Sequence, residues 1–324
     1  MRRFASPHRL VGAAAVVAAL ALLIGFWWLR RGSVPPLIEA VLVGAGDIAD
    51  CSREEDDATA DLLDDIVDDI AGSLVEGVTT TVFTLGDNVY DDGARSEFAE
   101  CYDPTWGRHR ERTRPAPGNH DYDTDEAAGY YEYFGDAAGD PDEGWYSYDL
   151  GGWHVVVLNS NCDDLEGGCE ADSPQLRWLG EDLSESDAQC TVAYWHHARF
   201  SSGTEHGSDN DVAPFWKVLY EHGAEIVLSG HEHNYERFAP QTPAGDADER
   251  FGIRQFVVGT GGKTPYEFRR TVLPNSERRH SGTPGVILLS LRSDGYQWRF
   301  VSADGAVFSD EGEGRCHGRP PRPG

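Results

Sequence analysis

Gly230-His-Glu-His-Asn-Tyr-Glu-Arg237 follows the apolar run Ala224-Glu-Ile-Val-Leu-Ser229. Side chains two apart along an extended segment point the same way. His231 and His233, just past a buried strand, therefore aim two imidazoles at one small volume at that strand's end. The same arrangement recurs along the chain. Asp47 follows "AVLVGAG", Asp87 follows "VFTLG", Asn119 and His120 follow "RPAPG", and His196 and His197 follow "TVAYW". Ligands of open α/β sheets bind at the carboxyl ends of strands. Five strand ends thus deliver carboxylates, an amide and imidazoles to one rim.

The elements between these points alternate strand and helix, which predicts a layered α/β architecture. "LIEAVLVGAGD" reads as a strand buried on both faces, and "TTVFTL" (Thr79 to Leu85) as a second, β-branched strand. A helix is expected from Asp56 to Ala71 with Ala58, Leu62, Ile66 and Ile70 on its apolar face. "WYSYDLGGWHVVVLNS" reads as a hairpin, because Gly151-Gly152 between alternating apolar runs fits a two-residue turn. Ser173-Pro174 supplies a capping hydroxyl and a proline at the first helical position. "CTVAYW", "AEIVLS", "IRQFVVGT" and "GVILLSLRSDGYQWRFV" supply further strands. The glycines of "VVGTGGKTPY" lack phosphate-loop spacing and are expected to form a close turn, Gly259 to Gly262, at the site's edge.

The chain is expected to divide into a membrane anchor at 1–31, a linker at 32–37, one folded domain at 38–317 and a disordered tail at 318–324. Residues 10–29 are uncharged and mostly apolar, long enough for one helix across a bilayer core of about 30 Å. Trp27 and Trp28 would sit at the interface. A cleaved secretory leader is the rival reading, but Trp-Trp-Leu-Arg-Arg offers no small residues for cleavage. Six cysteines behind such a segment suggest disulfides in an oxidising compartment. Cys162–Cys169 is the best local pair, and Cys51–Cys101 with Cys190–Cys316 would complete the set, one choice among fifteen. The domain is thus expected outside the cytoplasm on a single-pass membrane protein, or secreted. The net charge of −29 argues against a nucleic-acid-binding surface, which draws its affinity from clustered Lys and Arg. An anionic substrate would need a local positive centre, and metal ions are the obvious candidates.

The donor inventory suits two ions better than one, since a carboxylate can bridge two cations about 3.5–4 Å apart, the geometry that clamps both oxygens of a phosphoryl displacement. "GD" at Gly46-Asp47, "GDNVY" at Gly86 to Tyr90, "GNHD" at Gly118 to Asp121, "WHH" at Trp195 to His197 and "GHEH" at Gly230 to His233 resemble, in order and type, the five motif blocks of the calcineurin-like metallophosphoesterase superfamily. "GDxxY" and "GHxHxYER" are similar to its purple acid phosphatase branch. The resemblance spans roughly Val41 to Arg237. It implies a four-layer α/β/β/α sandwich of two mixed sheets, here behind the N-terminal transmembrane helix. It also implies a phosphatase that hydrolyses phosphate monoesters of small phosphorylated substrates at a dinuclear centre.

Carried over block by block, the resemblance gives Asp47, Tyr90 and His233 to one ion, ferric iron in that branch. Asp87 would bridge, and Asn119, His196 and His231 would hold a divalent iron, zinc or manganese ion. The family's fourth block has valine and proline where Ala193 and Ala198 stand here, which leaves the ligand role open between His196 and His197. A metal-bound hydroxide would attack phosphorus, and a general acid would protonate the leaving oxygen. His120 is the first candidate for that acid, and His197 the alternative.

Blander readings stand beside these. Asp47 alone could cap a turn, Tyr90 could cover the core, and Asn119 with His120 fit ordinary turn chemistry. Tyr235 and Arg237 could orient the site or bind phosphate, though a loop arginine is usually solvated. His109, His154, His206, His222, His280 and His317 lie outside the pattern and receive no role. The aspartates from Asp61 to Asp69 read as a solvated helix face. Competing functions are a phosphodiesterase or nucleotide hydrolase on the same site, or a binding module that uses its metals structurally.

Overall fold

The structure is a computed structural model and describes residues 37–72, 77–303 and 308–321. The apolar segment expected to anchor the chain, and the linker up to residue 36, lie outside the described residues. Among the described residues no helix is long and apolar enough to cross a membrane.

In chain order the strands are β1 (Ala40–Ala45), β2 (Ala49–Asp50), β3 (Thr79–Leu85), β4 (Val89–Tyr90), β5 (Thr113–Ala116), β6 (Tyr146–Leu150), β7 (Trp153–Val157) and β8 (Cys190–Tyr194). They continue as β9 (Ile226–Ser229), β10 (Tyr235–Phe238), β11 (Arg254–Val258), β12 (Ser276–His280), β13 (Gly285–Arg292), β14 (Gly295–Ser302) and β15 (Ser309–Arg315). The principal helices are α1 (Glu55–Ala71), α2 (Ala128–Phe134), α3 (Pro174–Glu185) and α4 (Ala213–His222).

Among the described residues the strands form two large mixed sheets and a two-stranded parallel pair, β2-β4. One runs β15-β14-β13-β1-β3-β5, with β1, β3 and β5 parallel. The other runs β12-β10-β11-β9-β8-β7-β6, with β7, β8, β9 and β11 parallel. The period of two explains how the second sheet is covered on both faces. Val155 and Val157 of β7, Val192 and Tyr194 of β8, and Ile226 and Leu228 of β9 join the core shared with the first sheet. The intervening Val156, Ala193 and Val227 pack outward with Leu176, Leu179 and Leu183 of α3 and Phe215, Trp216 and Leu219 of α4. Each fully buried aliphatic side chain of this kind contributes about 1.5–3 kcal/mol. Helix α1 lies against β13 of the first sheet and adds Leu63 and Ile66 to the shared core.

The expected Gly-Gly hairpin is present: Leu150 pairs with Trp153, and Gly151 and Gly152 take φ of 56° and 78°, the left-handed pair such a turn needs. Ser173 caps α3 by accepting the amide of Leu176 at 3.3 Å. Cys51–Cys101, Cys162–Cys169 and Cys190–Cys316 are the three disulfides, and no described cysteine is free.

One helix face differs from the expectation. The buried side of α1 is Asp56, Thr59, Ala60, Leu63, Ile66 and Val67, whereas Ala58 is exposed and Leu62 and Ile70 are half-buried. The helix is rotated, and Thr59 is pinned: its hydroxyl donates to the Gly261 carbonyl at 2.6 Å and accepts from the Trp106 indole at 2.9 Å. The buried face keeps an apolar stripe of its own, Ala60, Leu63, Ile66 and Val67, with Thr59 anchoring its edge. Near the C-terminus the exposed Arg319 donates to the Leu183 carbonyl at 2.9 Å.

Candidate metal centre

The parallel strands of the two sheets end at a common edge, and the loops leaving them interlock. Gly46 donates to the Val258 carbonyl at 2.9 Å, Asp47 to Gly86 at 3.1 Å, and Gly230 to His196 at 2.9 Å. His196 Nδ1 meets the Leu85 carbonyl at 2.7 Å, so a side chain of the second sheet is aimed by the backbone of the first. That contact leaves Nε2 to face the site. There is no spare room between the loops: a Cβ on Gly86 would lie 2.6 Å from His196 Nδ1 and 2.7 Å from the Gly118 Cα. Asp47, Asp87 and His231 occupy the left-handed region at φ of 60°, 48° and 69°. Such conformations cost about 1–3 kcal/mol each and persist only where the surroundings impose them.

The structure brings all seven predicted ligands together. On one side the Tyr90 hydroxyl lies 3.1 Å from Asp47 Oδ1, 2.8 Å from Asp87 Oδ2 and 3.3 Å from His233 Nε2. His233 Nε2 is also 3.3 Å from Asp47 Oδ1. On the other side His196 Nε2 lies 3.3 Å from Asp87 Oδ1, 3.1 Å from Asn119 Oδ1 and 3.1 Å from His231 Nδ1. Asp87 turns one oxygen to the side-chain donors of each group, while Asp47 Oδ2 reaches the second through the His231 amide at 3.0 Å. Between the neighbouring histidines His196 is the one buried against the carboxylates, whereas His197 Nδ1 meets the Ser160 hydroxyl at 2.8 Å.

The donor set calls for positive charge. Asp47 and Asp87 are buried, and among the described residues neither has a lysine or arginine partner. The nearby Lys263 ammonium is taken by Asp50 at 2.9 Å and Asp91 at 3.4 Å. Burial works to lower His196, but the Asp87 carboxylate outweighs it and raises the imidazole to about 9. Without a cation, a proton has to balance the carboxylate. Burial and the two carboxylates push the Tyr90 phenol well above its ordinary value, so only a bound cation makes it a phenolate ligand near neutral pH. Oxygen and imidazole donors converging this closely, short of charge, fit metal ions of the hard to borderline class.

Around this centre stands a rim. His120 donates its amide to Asp87 Oδ1 at 2.9 Å, and its half-exposed ring meets the Asp91 carbonyl at 2.5 Å and Asp123 at 3.3 Å. Burial, and then the nearby His196, push His197 down to about 3. Its imidazole is neutral near pH 7 and is a poor proton donor. His206, which has no place in the sequence pattern, stacks on His231 with ring centroids 3.8 Å apart. Tyr266 stacks in the same way on His233 at 3.9 Å. Both sit on loops without periodicity, so pattern gave no sign of them.

Other motif residues hold the loops. Asp121 accepts from the Gly118 amide and the Asn88 side chain, each at 2.9 Å, tying two ligand-bearing loops together. Its place three residues after Gly118 was the only sequence signal. Tyr235 and Arg237 face away from the centre: both bind Asp310, at 2.7 and 2.6 Å, on the first sheet. The turn from Gly259 to Gly262 does close the edge, where a Cβ on Gly261 would lie 2.6 Å from the Gly46 carbonyl.

Known proteins share both sequence and fold with this chain. It is 30% identical over 205 residues to purple acid phosphatase 15 of Arabidopsis thaliana, covering 52% of this chain and 38% of that one. It is 28% identical over 177 residues to purple acid phosphatase 1 of Ipomoea batatas, covering 48% and 36%. The chain thus spans under two-fifths of the length of these relatives. Among solved structures, a purple acid phosphatase from yellow lupin (Lupinus luteus) seeds superposes with a TM-score of 0.62 at 18% identity, over 84% of this chain and 53% of the other. GAP50, the anchor in the inner membrane complex of Plasmodium, also gives 0.62, at 13% identity over 87% and 90%. These two likenesses establish the fold. The model of the family described as calcineurin-like phosphoesterase matches residues 42–235, a stretch that holds all seven candidate ligands. The chain belongs to that family.

Proposed function

We propose that the chain is a metal-dependent phosphatase that hydrolyses phosphate monoesters, with two ions sharing Asp87. Asp47, Tyr90 and His233 would hold one, ferric iron by likeness to the purple acid phosphatases, and Asn119, His196 and His231 the other, a divalent iron, zinc or manganese ion. The observation that carries this reading is the position of Asp87, whose two oxygens face Tyr90 at 2.8 Å and His196 at 3.3 Å. When bound, the ions supply the charge that polarises a phosphoryl group and acidifies water. The chain's own residues aim and complete that chemistry. Leu85 fixes the His196 tautomer through its carbonyl, and Thr264 does the same for His233 Nδ1 at 2.8 Å. His120 stands on the rim as the group able to hand a proton to a leaving oxygen, whereas burial holds the His206 imidazole below its ordinary value. His197, neutral and held by Ser160, fits a positioning role. Three disulfides suit an oxidising compartment, so we place the domain outside the cytoplasm, tethered by the segment before residue 37 or released from it.

The test is a purified domain from Leu37 onward, analysed for bound metal and for phosphate release from a chromogenic monoester, with a matching diester in parallel. Two metals with monoester turnover that chelation abolishes is the expected result. Turnover of the diester alone would replace the reading with a phosphodiesterase, and two metals with no turnover would replace it with a binding module. A visible absorption that disappears in Tyr90→Phe would identify a tyrosinate bound to ferric iron.

A further inference from the structure

The stretch that places His231 and His233 also carries two buried glutamates, and both point at the loop after β8. Glu232 lies between the two histidines and is fully buried. Its Oε1 accepts the amide of His206 at 2.7 Å and that of Gly207 at 2.5 Å, while its Oε2 has no hydrogen-bond partner among the described residues. Glu236, four residues on, accepts the amide of Ser202 at 2.7 Å. The two anchorages differ in how much else supports them. Around Ser202 the loop is also held by backbone: Thr204 donates to Glu267 at 3.0 Å and Arg269 to Ser202 at 2.9 Å. At His206 and Gly207 both amide hydrogens go to the single atom Glu232 Oε1.

That atom therefore fixes the bend from which the His206 ring extends to lie on His231. A carboxylate accepting two amide hydrogens is a strong and directional clamp, and here it belongs to the same short segment as two proposed metal ligands. There is no slack around it, because a Cβ on Gly203 would run into the Glu232 carboxylate. We infer that Glu232 is a positioning residue: it locks the 205–207 bend to the His231–His233 segment, so that the placement of the rim imidazole follows that of the metal ligands. The inference rests on the phosphatase reading for its catalytic consequence and on geometry alone for the clamp.

The experiment compares Glu232→Ala, Glu232→Gln, His206→Ala and the Glu232→Ala/His206→Ala double variant, with Glu236→Gln as the control. Each is the metal-replete domain, assayed with the chromogenic monoester and followed by amide hydrogen exchange at residues 205–207. A group that acts only by placing another gives non-additive losses. The expected result is that Glu232→Ala lowers kcat by the same factor as His206→Ala, on the order of 10- to 100-fold as for loss of an outer partner of a metal ligand, and that the double variant is no worse than either. Bound metal stays at the wild-type level and exchange at the His206 and Gly207 amides rises at least tenfold. Glu232→Gln keeps one acceptor oxygen and restores most of kcat, and Glu236→Gln leaves kcat unchanged. Losses that multiply in the double variant, or a Glu232→Ala defect that tracks lost metal, would overturn the inference. If the wild type has no turnover at all, the phosphatase reading has failed, and exchange alone judges the clamp: unchanged protection in Glu232→Ala sinks it.

Discussion

Two buried carboxylates, one just past the carboxyl end of β3 in the first sheet and one just before β9 in the second, show how neighbours decide the state of a buried acid. Asp87 lies at the carboxyl edge among His196, Tyr90 and the His120 amide. Burial opposes its charge, but the imidazolium of His196 outweighs burial and holds it below the ordinary carboxylate range. Glu225 lies where β9 begins, accepting the amide of Thr191 at 2.6 Å and that of His317 at 3.2 Å. Burial raises it to about 8, and its amide donors only partly offset the rise. Imidazoles can carry a whole positive charge and amides only dipoles. One carboxylate is built to stay ionised, the other to close the fold.

The most severe break in this contrast is Asp87→Asn, chosen because asparagine tolerates the left-handed backbone. It should abolish paired metal binding and lower turnover by more than the ~10–100-fold that losing an outer partner of a metal ligand costs. Elemental analysis and phosphate release measure both, and two retained metals would refute the bridging role. Next, replacing Cys190 and Cys316 together by serine opens a link across 126 residues close to Glu225. This should cost about 2–5 kcal/mol of stability in chemical denaturation, while kcat per folded molecule stays at the wild-type value.

Glu225→Gln sharpens the comparison through pH. Between about 4.5 and about 8 the unfolded chain has released the Glu225 proton and the folded chain retains it. Rising pH therefore favours the unfolded state across that window, with no contribution to the slope below or above it. The wild type should lose on the order of 5 kcal/mol there, and the glutamine variant should show a flatter profile in denaturant melts at stepped pH. The smallest effect is expected from Ser160→Ala, which removes the hydroxyl at His197 Nδ1. It should cost about 1 kcal/mol and a few-fold in kcat without loss of metal.

The sequence disclosed the convergence because each candidate ligand directly follows an apolar strand, so its position in space is set by sheet topology alone. The Cys162–Cys169 pair and the Gly151-Gly152 turn were legible because they depend on local spacing, whereas Cys51–Cys101 and Cys190–Cys316, 50 and 126 residues apart, were one choice among fifteen. What was hidden depends on contacts across the domain. The rotation of α1 brings Thr59 to Gly261 and Trp106, contacts that no apolar period encodes. His206 comes to the centre because Glu232 holds its amide, and a loop histidine carries no mark of a partner 26 residues away. Tyr235 and Arg237 were drawn toward the site by their place in the motif, yet Asp310 holds them on the far strand.

The absence of clearance around Gly86 bears on how such a protein can diversify. A methyl group there would collide with both His196 and the Gly118 backbone, and one on Gly230 would lie 2.6 Å from the Asp47 carboxylate. Substitution at these glycines would displace two loops at once, so the inner ring is frozen as a unit. Variation is left to the rim beyond the ring, where His206 stands exposed to solvent.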